Sequence, residues 1–304
     1  MTGRGGLRVG GSETGVALAI LVWFLAALSL LVAGIVMQVR IDSRLSGLQL
    51  AIAKAEAAGD GAIQLALADY QEAGGEGGRA PYYGVHQTGE LKVAVVLTPL
   101  SGLIDLNEAP EELLSALFSF VAGLDNSSAR ELAASVVEWR GSAGEGTGDT
   151  GGGEFEVLED LMKVAGVNRE IFEAVQGAVH VSEGGSPAVD WLSAPVPVLQ
   201  ALGGMSRESA VNLALSRFAG GAGYPEPPVT FNMNYQQAPG SKAIRADALS
   251  VIDNTVYLRR RWVDIEQGDP SGLPWQFFRT EAVRAVPGMG EAVLISGQGD
   301  YARD

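Results

Sequence analysis

The sequence contains no cysteine, and histidine occurs only twice among its 304 residues. The absence of cysteine excludes disulfide bonds and thiolate metal sites, and it leaves the cellular compartment open. The two histidines, His86 and His180, are far apart in sequence and match no zinc-ligand spacing. No G-x-S-x-G or similar signature of an activated serine accompanies them. We therefore predict that the chain is not an enzyme, with a hydrolase as the weaker alternative.

Basic residues are scarce as well, since 21 lysines and arginines stand against 36 aspartates and glutamates, for a net charge of −15. This balance weighs against nucleic-acid binding, because a basic face supplies most of the affinity for a phosphate backbone. The charge says little about the fold. The length is sufficient for one large domain or two small ones.

Charged residues are missing altogether from Val16 to Met37, VALAILVWFLAALSLLVAGIVM, where Ser29 carries the only hydroxyl. A helix of this length spans roughly 33 Å, about the hydrocarbon thickness of a bilayer. The run is longer than the apolar region of a secretory signal, which has about 7–15 residues. The sequence therefore predicts a single transmembrane helix over residues 16–37, preceded by the glycine-rich residues 1–15.

The helical pattern continues past the apolar run, over residues 38–73. Four apolar residues at spacings of three and four share one face: Ile41, Leu45, Leu48 and Ile52. This spacing predicts an amphipathic extension of the membrane helix. The Gly59-Asp60-Gly61 segment is a candidate kink or interruption within it.

Strand patterns lie on both sides of a helical region. Residues 74–102 form a loop and a first β-segment, in which Leu91–Thr98 is apolar and β-branched and ends at Pro99. Residues 221–286 form a linker and a sheet. Within it the sequence predicts a hairpin of strands 242–252 and 255–266 around an Asp253-Asn254 turn, and a third strand over Trp275–Ala285. Residues 287–304 form a C-terminal tail.

Residues 103–220 contain an internal repeat of two helix pairs. Pro110 and Pro195 each suit the first turn of the leading helix, because proline lacks only an N–H that is unpaired there. Ser128 and Ser206 each start the partner helix, and Ser128 is expected to cap it together with Glu131. The sequence therefore predicts two short antiparallel helix pairs of one design.

Between the two pairs lies the glycine-rich segment 141–153, followed by a predicted helix over Glu154–Met162 and a second helix that Asn168 caps. Carboxylates on a flexible backbone can bind Ca²⁺, although the EF-hand spacing is absent. The candidate ligands are Glu145, Asp149, Glu154 and Glu156. A solvated acidic loop without metal is the alternative.

The phrases LIDLNEAPEELL and GEFEVLEDLMKVAGVNREIF resemble helix-hairpin-helix units, including those of competence-type DNA receptors. In DNA-binding versions a Gly-x-Gly hairpin presents backbone N–H groups to a phosphate. The hairpins FSFVAGLDN and VAGVNRE each lack the second glycine, and their surroundings are acidic. A structural role is favoured, and a membrane-anchored DNA-binding or uptake receptor is the alternative function.

The order of parts resembles a known family. Gly15 followed by VALAILVWFLAALSLL is similar to the cleavage junction and N-terminal helix of type IV pilin-like proteins. The helical block with LNEAPEELL and EFEVLEDLMKVAGV resembles the K-type minor pseudopilin, general secretion pathway protein K. The likeness covers nearly the whole chain. It implies an α+β fold in which a pilin-like long N-terminal helix packs on a small antiparallel sheet. A large inserted α-helical domain would carry helix-hairpin-helix-like repeats.

The resemblance also assigns roles to three residues. Gly15 would be the last residue of a leader, residues 1–15, that prepilin peptidase removes, and Val16 would be the mature N-terminus. Major pilins carry glutamate at the fifth mature position, where this chain has Ile20. K-type members lack that glutamate, in keeping with a place at the filament tip. The leader departs from the family, because Glu13 lies close to the junction and cations are few.

The function that the resemblance implies is that of a minor pseudopilin at the tip of the type II secretion pseudopilus. Such a subunit supports pseudopilus assembly and protein export across the outer membrane. Its expected partners are the I- and J-type minor pseudopilins, prepilin peptidase and secreted cargo, and no nucleic acid. The expected location is the bacterial inner membrane, with one pass and the C-terminal domain in the periplasm. Calcium has been associated with pseudopilins of this kind, but no ligand set transfers to this chain.

Overall fold

The structure is a computed structural model. It describes residues 13–72, 81–141, 152–182, 184–216, 227–228, 230–235, 243–270 and 272–286. The chain divides into two compact units, residues 1–54 and 55–304. The fold is α+β, as the sequence predicts, with a long N-terminal helix and an antiparallel sheet accompanied by shorter helices.

The described elements follow in chain order. They are α1 (Glu13–Glu72), β1 (Tyr82–Thr88), β2 (Leu91–Pro99), β3 (Ile104–Asp105), α2 (Glu111–Phe120), α3 (Asn126–Gly141), α4 (Arg169–Val175), β4 (Val179–His180), α5 (Val196–Gly203), α6 (Arg207–Ser216), β5 (Ala243–Ile252), β6 (Thr255–Asp264), β7 (Gln276–Thr280) and β8 (Arg284–Ala285). Short 3-10 helices cover Leu100–Gly102, Leu158–Lys163 and Met233–Tyr235.

Helix α1 contributes to both units and is continuous through Gly59-Asp60-Gly61, so the predicted interruption there is wrong and a kink stays a prediction. Gly59 serves close packing instead, because a Cβ at this position would lie 2.8 Å from the Cβ of Arg259. In the first unit, Leu45 and Leu48 of the predicted amphipathic face are exposed. The side chain of Ile41 lies outside the described residues.

The main sheet has the strand order β1-β2-β5-β6-β7, all antiparallel, and β8 also pairs with β6. The predicted hairpin of β5 and β6 is confirmed. Its turn residues Asp253 and Asn254 have φ angles of 48° and 63°, as a type I′ turn requires. The predicted third strand is interrupted between β7 and β8. Strand β1 was not predicted, because its YYGVHQT sequence has little of the apolar alternation that marks a strand.

One face of the sheet packs on residues 55–72 of α1. The apolar core between them consists of Ala58, Ala62, Ile63, Ala66, Leu67 and Tyr70 from the helix, with Val93, Val95, Leu97, Ile244, Ala246, Ala248, Val263 and Trp275. Small alanines bring the helix axis close to the strands. The buried indole N–H of Trp275 donates to Gln64 Oε1 at 2.9 Å, so its polar group is satisfied.

The region between β2 and β5 contains the helices α2 to α6 and has its own apolar core. The two predicted helix pairs are present as α2 with α3 and α5 with α6. Three details differ from the predictions. Pro110 and Pro195 are the N-cap residues of α2 and α5 and precede the first turn, and α3 begins at Asn126 instead of Ser128. Membership of these pairs in the helix-hairpin-helix class stays a prediction.

The predicted helix over Glu154–Met162 is wrong, since only a 3-10 helix over Leu158–Lys163 forms. The side chain of Asn107 prevents an earlier start. Its Oδ1 accepts from Phe155 N at 2.8 Å and its Nδ2 donates to Phe155 O at 3.1 Å, so both backbone groups of Phe155 are already paired. Phe155 and Leu158 are buried as predicted, and Met162 is exposed.

Gly102 allows the chain to leave β2 beneath the loop that precedes α5. A Cβ on Gly102 would lie 2.3 Å from the backbone oxygen of Ser193. We expect Gly102→Ala to lower the free energy of unfolding by about 1–3 kcal/mol, because the backbone must move to admit the methyl group. Denaturant unfolding of the full chain in detergent measures this loss. Gly141→Ala is the control, since its Cβ meets nothing within 4 Å, and an equal loss in both variants would contradict the prediction.

Candidate functional site

The apolar segment of α1 is the first candidate site. Among the described residues, Leu18–Gln38 is the one helical stretch long and apolar enough to cross a membrane. The large side chains that the structure describes in this segment are exposed, and the exposed fractions of Trp23 and Leu30 reach 73% and 75%. The Ser29 hydroxyl donates to the Leu25 carbonyl at 2.8 Å, so it needs no partner outside the helix. Such a segment suits a bilayer or a bundle of similar helices.

The predicted processing site lies at the start of α1. Gly15 and Val16 belong to this helix, but their side chains lie outside the described residues. Ile20 is described, and 62% of its side chain is exposed on the helix surface. Cleavage after Gly15 stays a prediction.

The turns that begin α3 and α4 are the places where a helix-hairpin-helix unit would meet a phosphate. The Asp125 carboxylate accepts from the backbone N–H groups of Ser127 at 3.0 Å and Ser128 at 3.1 Å. Hydrogen bonds from the side chains of Ser127 and Ser128 hold the pKa of Asp125 well below its usual range. The predicted cap by Ser128 is therefore wrong, because Asp125 performs it. Asn168 caps α4 as predicted, accepting from Ile171 N at 2.9 Å. A fixed negative charge at the start of α3 is unfavourable for phosphate.

The predicted calcium ligands are only partly described. Asp149 and Glu145 lie outside the described residues, and Glu154 and Glu156 are exposed. Among the described residues no three His, Asp or Glu side chains are grouped closely enough to hold a metal ion. Asp160 of this region uses its carboxylate within the fold: it accepts from the backbone N–H groups of Glu156 and Val157, which precede the 3-10 helix. Calcium binding stays a prediction.

A buried charge cluster, which was not predicted from the sequence, lies on the sheet face opposite α1. The Asp247 carboxylate accepts from Arg260 Nε at 2.6 Å and Nη2 at 3.1 Å, and Arg245 Nε lies 3.1 Å from Asp247 Oδ2. Arg245 Nη1 donates to the Gly177 carbonyl at 3.0 Å, which connects the sheet to the helical region. All three charged side chains are buried.

Burial and charge act in opposite directions in this cluster. Burial lowers the pKa of Arg245 to about 10, although the Asp247 carboxylate opposes the shift. Burial alone would raise the pKa of Asp247, but the positive charges of Arg260 and Arg245 outweigh it and keep that pKa below its ordinary value. The alternating positions Arg245 and Asp247 in a strand were the sequence signal, because both side chains then face one side of the sheet.

A second charge cluster connects α1 to the other face of β6. Arg259 donates to Asp60 through Nε at 2.8 Å and Nη2 at 3.0 Å, and Glu56 Oε1 lies 3.2 Å from Arg259 Nη2. The same Asp60 lies in the segment considered as a kink. Its carboxylate is paired across 199 positions of sequence.

The two histidines lie on different strands. His86 in β1 faces α1, where its Nε2 lies 3.9 Å from Asp69 Oδ2. His180 in β4 pairs in register with the buried Asp105 of β3. The hydroxyl of Ser182 donates directly to Asp105 and not to the imidazole. This arrangement differs from a Ser–His–Asp site, in which histidine lies between the other two groups.

Comparison with known proteins finds similarity among solved structures. No protein-family model matches the chain, and no curated protein matches its sequence. Among solved structures the chain is similar to a chain of the GspK–GspI–GspJ complex from the enterotoxigenic Escherichia coli type 2 secretion system. The TM-score is 0.45 and the sequence identity 12%, over 82% of this chain and 99% of that chain. A similarity this low does not establish the family of the chain.

Proposed function

We propose that the chain is a minor pseudopilin of the K type, a non-enzymatic subunit at the tip of the type II secretion pseudopilus. The observation that supports this proposal is that two parts of α1 have different surroundings. Leu18–Gln38 exposes an uncharged apolar surface, while residues 55–72 bury their apolar side chains against an antiparallel sheet. One helix thus supplies both an anchor and the core of a domain.

The apolar segment explains how one helix serves two environments. Before assembly it would hold the precursor in the inner membrane, where helical hydrogen bonds satisfy every backbone group within the segment. After leader removal the same exposed side chains would pack against equivalent helices in the filament. No side chain would have to change its charge, because the segment carries none.

Ile20 supports a terminal position in the filament. The resemblance implies that a glutamate at this place in major pilins neutralises the free amine of the neighbouring subunit. A tip subunit has no neighbour above it, so a carboxylate here would be unpaired within an apolar bundle and costly. The helical region between β2 and β5 would then cap the filament and contact the I- and J-type minor pseudopilins and secreted cargo.

Processing by prepilin peptidase tests the proposal. We expect co-expression with an active peptidase to yield a mature protein that begins at Val16, and we expect Gly15→Leu to abolish cleavage. Gly34→Leu is the matched control, because it makes the same change within the apolar segment, where a Cβ meets nothing within 4 Å. N-terminal sequencing and intact mass measure the result. An uncleaved wild-type chain beside a cleaved pilin standard would contradict the proposal.

The DNA-receptor alternative has a separate test. The Asp125 carboxylate and the net charge of −15 both disfavour it. We expect the full chain in detergent to bind no duplex DNA at low salt. Duplex binding that weakens steeply with added salt would show phosphate contacts and would favour the DNA-receptor function over the pseudopilin function.

A further inference from the structure

A small cavity lies between the sheet and the helical region, within residues 55–304. Its volume is about 30 Å³, enough for one or two water molecules or one small group. The wall consists of Leu100, Leu158, Gln176, Val179, His180, Val181, Arg245, Arg260, Trp262, Phe278 and Arg279. Three of these side chains are cationic, and no acidic side chain belongs to the lining.

The inner wall contains the buried guanidiniums of Arg245 and Arg260. Asp247 does not belong to the lining, but its carboxylate accepts from Nε and Nη2 of Arg260 and lies 3.1 Å from Nε of Arg245. The Gly177 carbonyl occupies Nη1 of Arg245. Arg245 Nε is buried and makes no hydrogen bond of normal geometry among the described residues. One carboxylate thus serves two buried guanidiniums.

His180 adds a polar atom to the same wall. Its Nδ1 is buried and has no hydrogen-bond partner among the described residues. A neutral imidazole can donate through this nitrogen when the proton is on Nδ1. The charged and titratable groups that act on it are Asp105 and Arg245. An acceptor inside the cavity would satisfy a group that the protein itself leaves without a partner.

The mouth of the cavity is formed by Arg279 and Phe278. The guanidinium of Arg279 lies over the ring of Trp262, 4.6 Å from its centroid, and the side chain is 29% exposed. Glu159 and Glu281 lie 3.6 and 3.9 Å from its Nη2, which is longer than a hydrogen bond. The two glutamates compete with a ligand for the positive charge of Arg279, but neither accepts a hydrogen bond from its Nη2.

We propose that this cavity binds a single carboxylate group. Arg279 would receive it at the mouth, and the buried guanidiniums of Arg245 and Arg260 would hold its oxygens. The planar fork of a guanidinium matches a carboxylate in geometry, and the small volume favours a carboxylate over the larger phosphate. The group would come from an acidic side chain of a protein partner or from a small free carboxylate. This inference does not depend on the proposed pseudopilin function.

Acetate binding tests the site directly. The full chain in detergent micelles, in a chloride-free buffer, is titrated with ¹³C-acetate, and the line width of the acetate resonance reports binding. We expect saturable broadening with the wild type. We expect binding about tenfold weaker in Arg279→Gln, because a charge-assisted hydrogen bond is lost. Arg130→Gln is the control, since Arg130 is an exposed residue of α3 that does not line the cavity, and it should bind as the wild type does.

Two capped peptides distinguish the sources of the carboxylate. Gly-Glu-Gly and Gly-Gln-Gly differ only in the acidic group. Displacement of acetate by the glutamate peptide alone would identify a protein side chain as an acceptable ligand. Displacement by neither, with acetate still bound, would assign the site to small free carboxylates. Both results support a carboxylate site.

Three results would overturn the proposal. These are absent saturation in the wild type, equal binding in wild type and Arg279→Gln, and stronger displacement of acetate by inorganic phosphate than by formate. Near-UV circular dichroism checks that Arg279→Gln retains the native fold. If it does not, Arg279→Lys decides, because it keeps the charge and loses the planar fork, and it should bind acetate more weakly than the wild type.

Discussion

Asp247→Asn is expected to lower the free energy of unfolding by about 3–5 kcal/mol, because it leaves two buried arginines without their carboxylate. Asp247 accepts two hydrogen bonds from Arg260 and lies 3.1 Å from Arg245 Nε. An amide presents one oxygen and no charge, so it cannot replace these contacts. Thermal and urea unfolding of the full chain in detergent measure the loss.

The pH dependence of this loss identifies its cause. The pKa of Asp247 in the native state is below its ordinary value. Burial raises this pKa, but the positive charges of Arg260 and Arg245 lower it by more. A depressed carboxyl pKa contributes stability above the ordinary value of about 4 and loses it as pH falls through the native pKa. The difference between wild type and Asp247→Asn should therefore be complete at pH 7 and shrink below about pH 4.

Asp253→Asn is the matched control for this substitution. Asp253 is exposed in the β5–β6 turn, where φ is 48° and asparagine is well tolerated. We expect its stability to lie within about 0.5 kcal/mol of the wild type. A loss below about 1 kcal/mol in Asp247→Asn, or an equal loss in the control, would contradict the role assigned to the buried cluster.

Phe118→Ala is expected to lower the free energy of unfolding by about 3–5 kcal/mol, because it removes a large side chain from a closed core. Phe118 lies on α2 and its exposed fraction is 0%. The core that contains Phe118 also includes residues of α3, α5 and the segment around the 3-10 helix Leu158–Lys163. The same unfolding measurements apply.

Phe120→Ala makes the same chemical change two residues later on the same helix. Phe120 is 43% exposed, and a truncated side chain there leaves a surface recess and no closed cavity. We expect a loss below about 1 kcal/mol. Equal losses at both positions would show that α2 does not bury the face that the structure assigns to it.

Several features of the fold follow from neighbouring residues alone, and the sequence predicted them. The uncharged run Val16–Met37 requires an apolar environment, whatever the remainder of the chain does. The pair Asp253-Asn254 adopts positive φ readily and therefore closes the β5–β6 hairpin. Asn168 caps α4 through an N–H only three residues away. The class α+β and the two helix pairs follow from periodicity of the same local kind.

Other features depend on partners that are distant in sequence. The strand β1 forms because β2 offers it an edge, although its own sequence is a weak strand signal. Asn107 pairs with the backbone of Phe155, 48 positions away, where the predicted helix would have started. No local pattern contains either contact. Tertiary packing determines which partner each of these backbone groups pairs with, because a buried backbone N–H or C=O must form a hydrogen bond.

The charged residues show the same division. The sequence by itself determined how many charges the chain carries, and that none lies in its apolar helix. Only the tertiary structure decided that Arg245, Asp247 and Arg260 would be buried together, because strand register aligns them across two strands. It likewise placed Arg279 beside Trp262 at the mouth of the cavity. Arginine is usually a surface residue. When it is buried, its charge in a low-dielectric interior requires a specific partner, and this makes the cavity a candidate binding site.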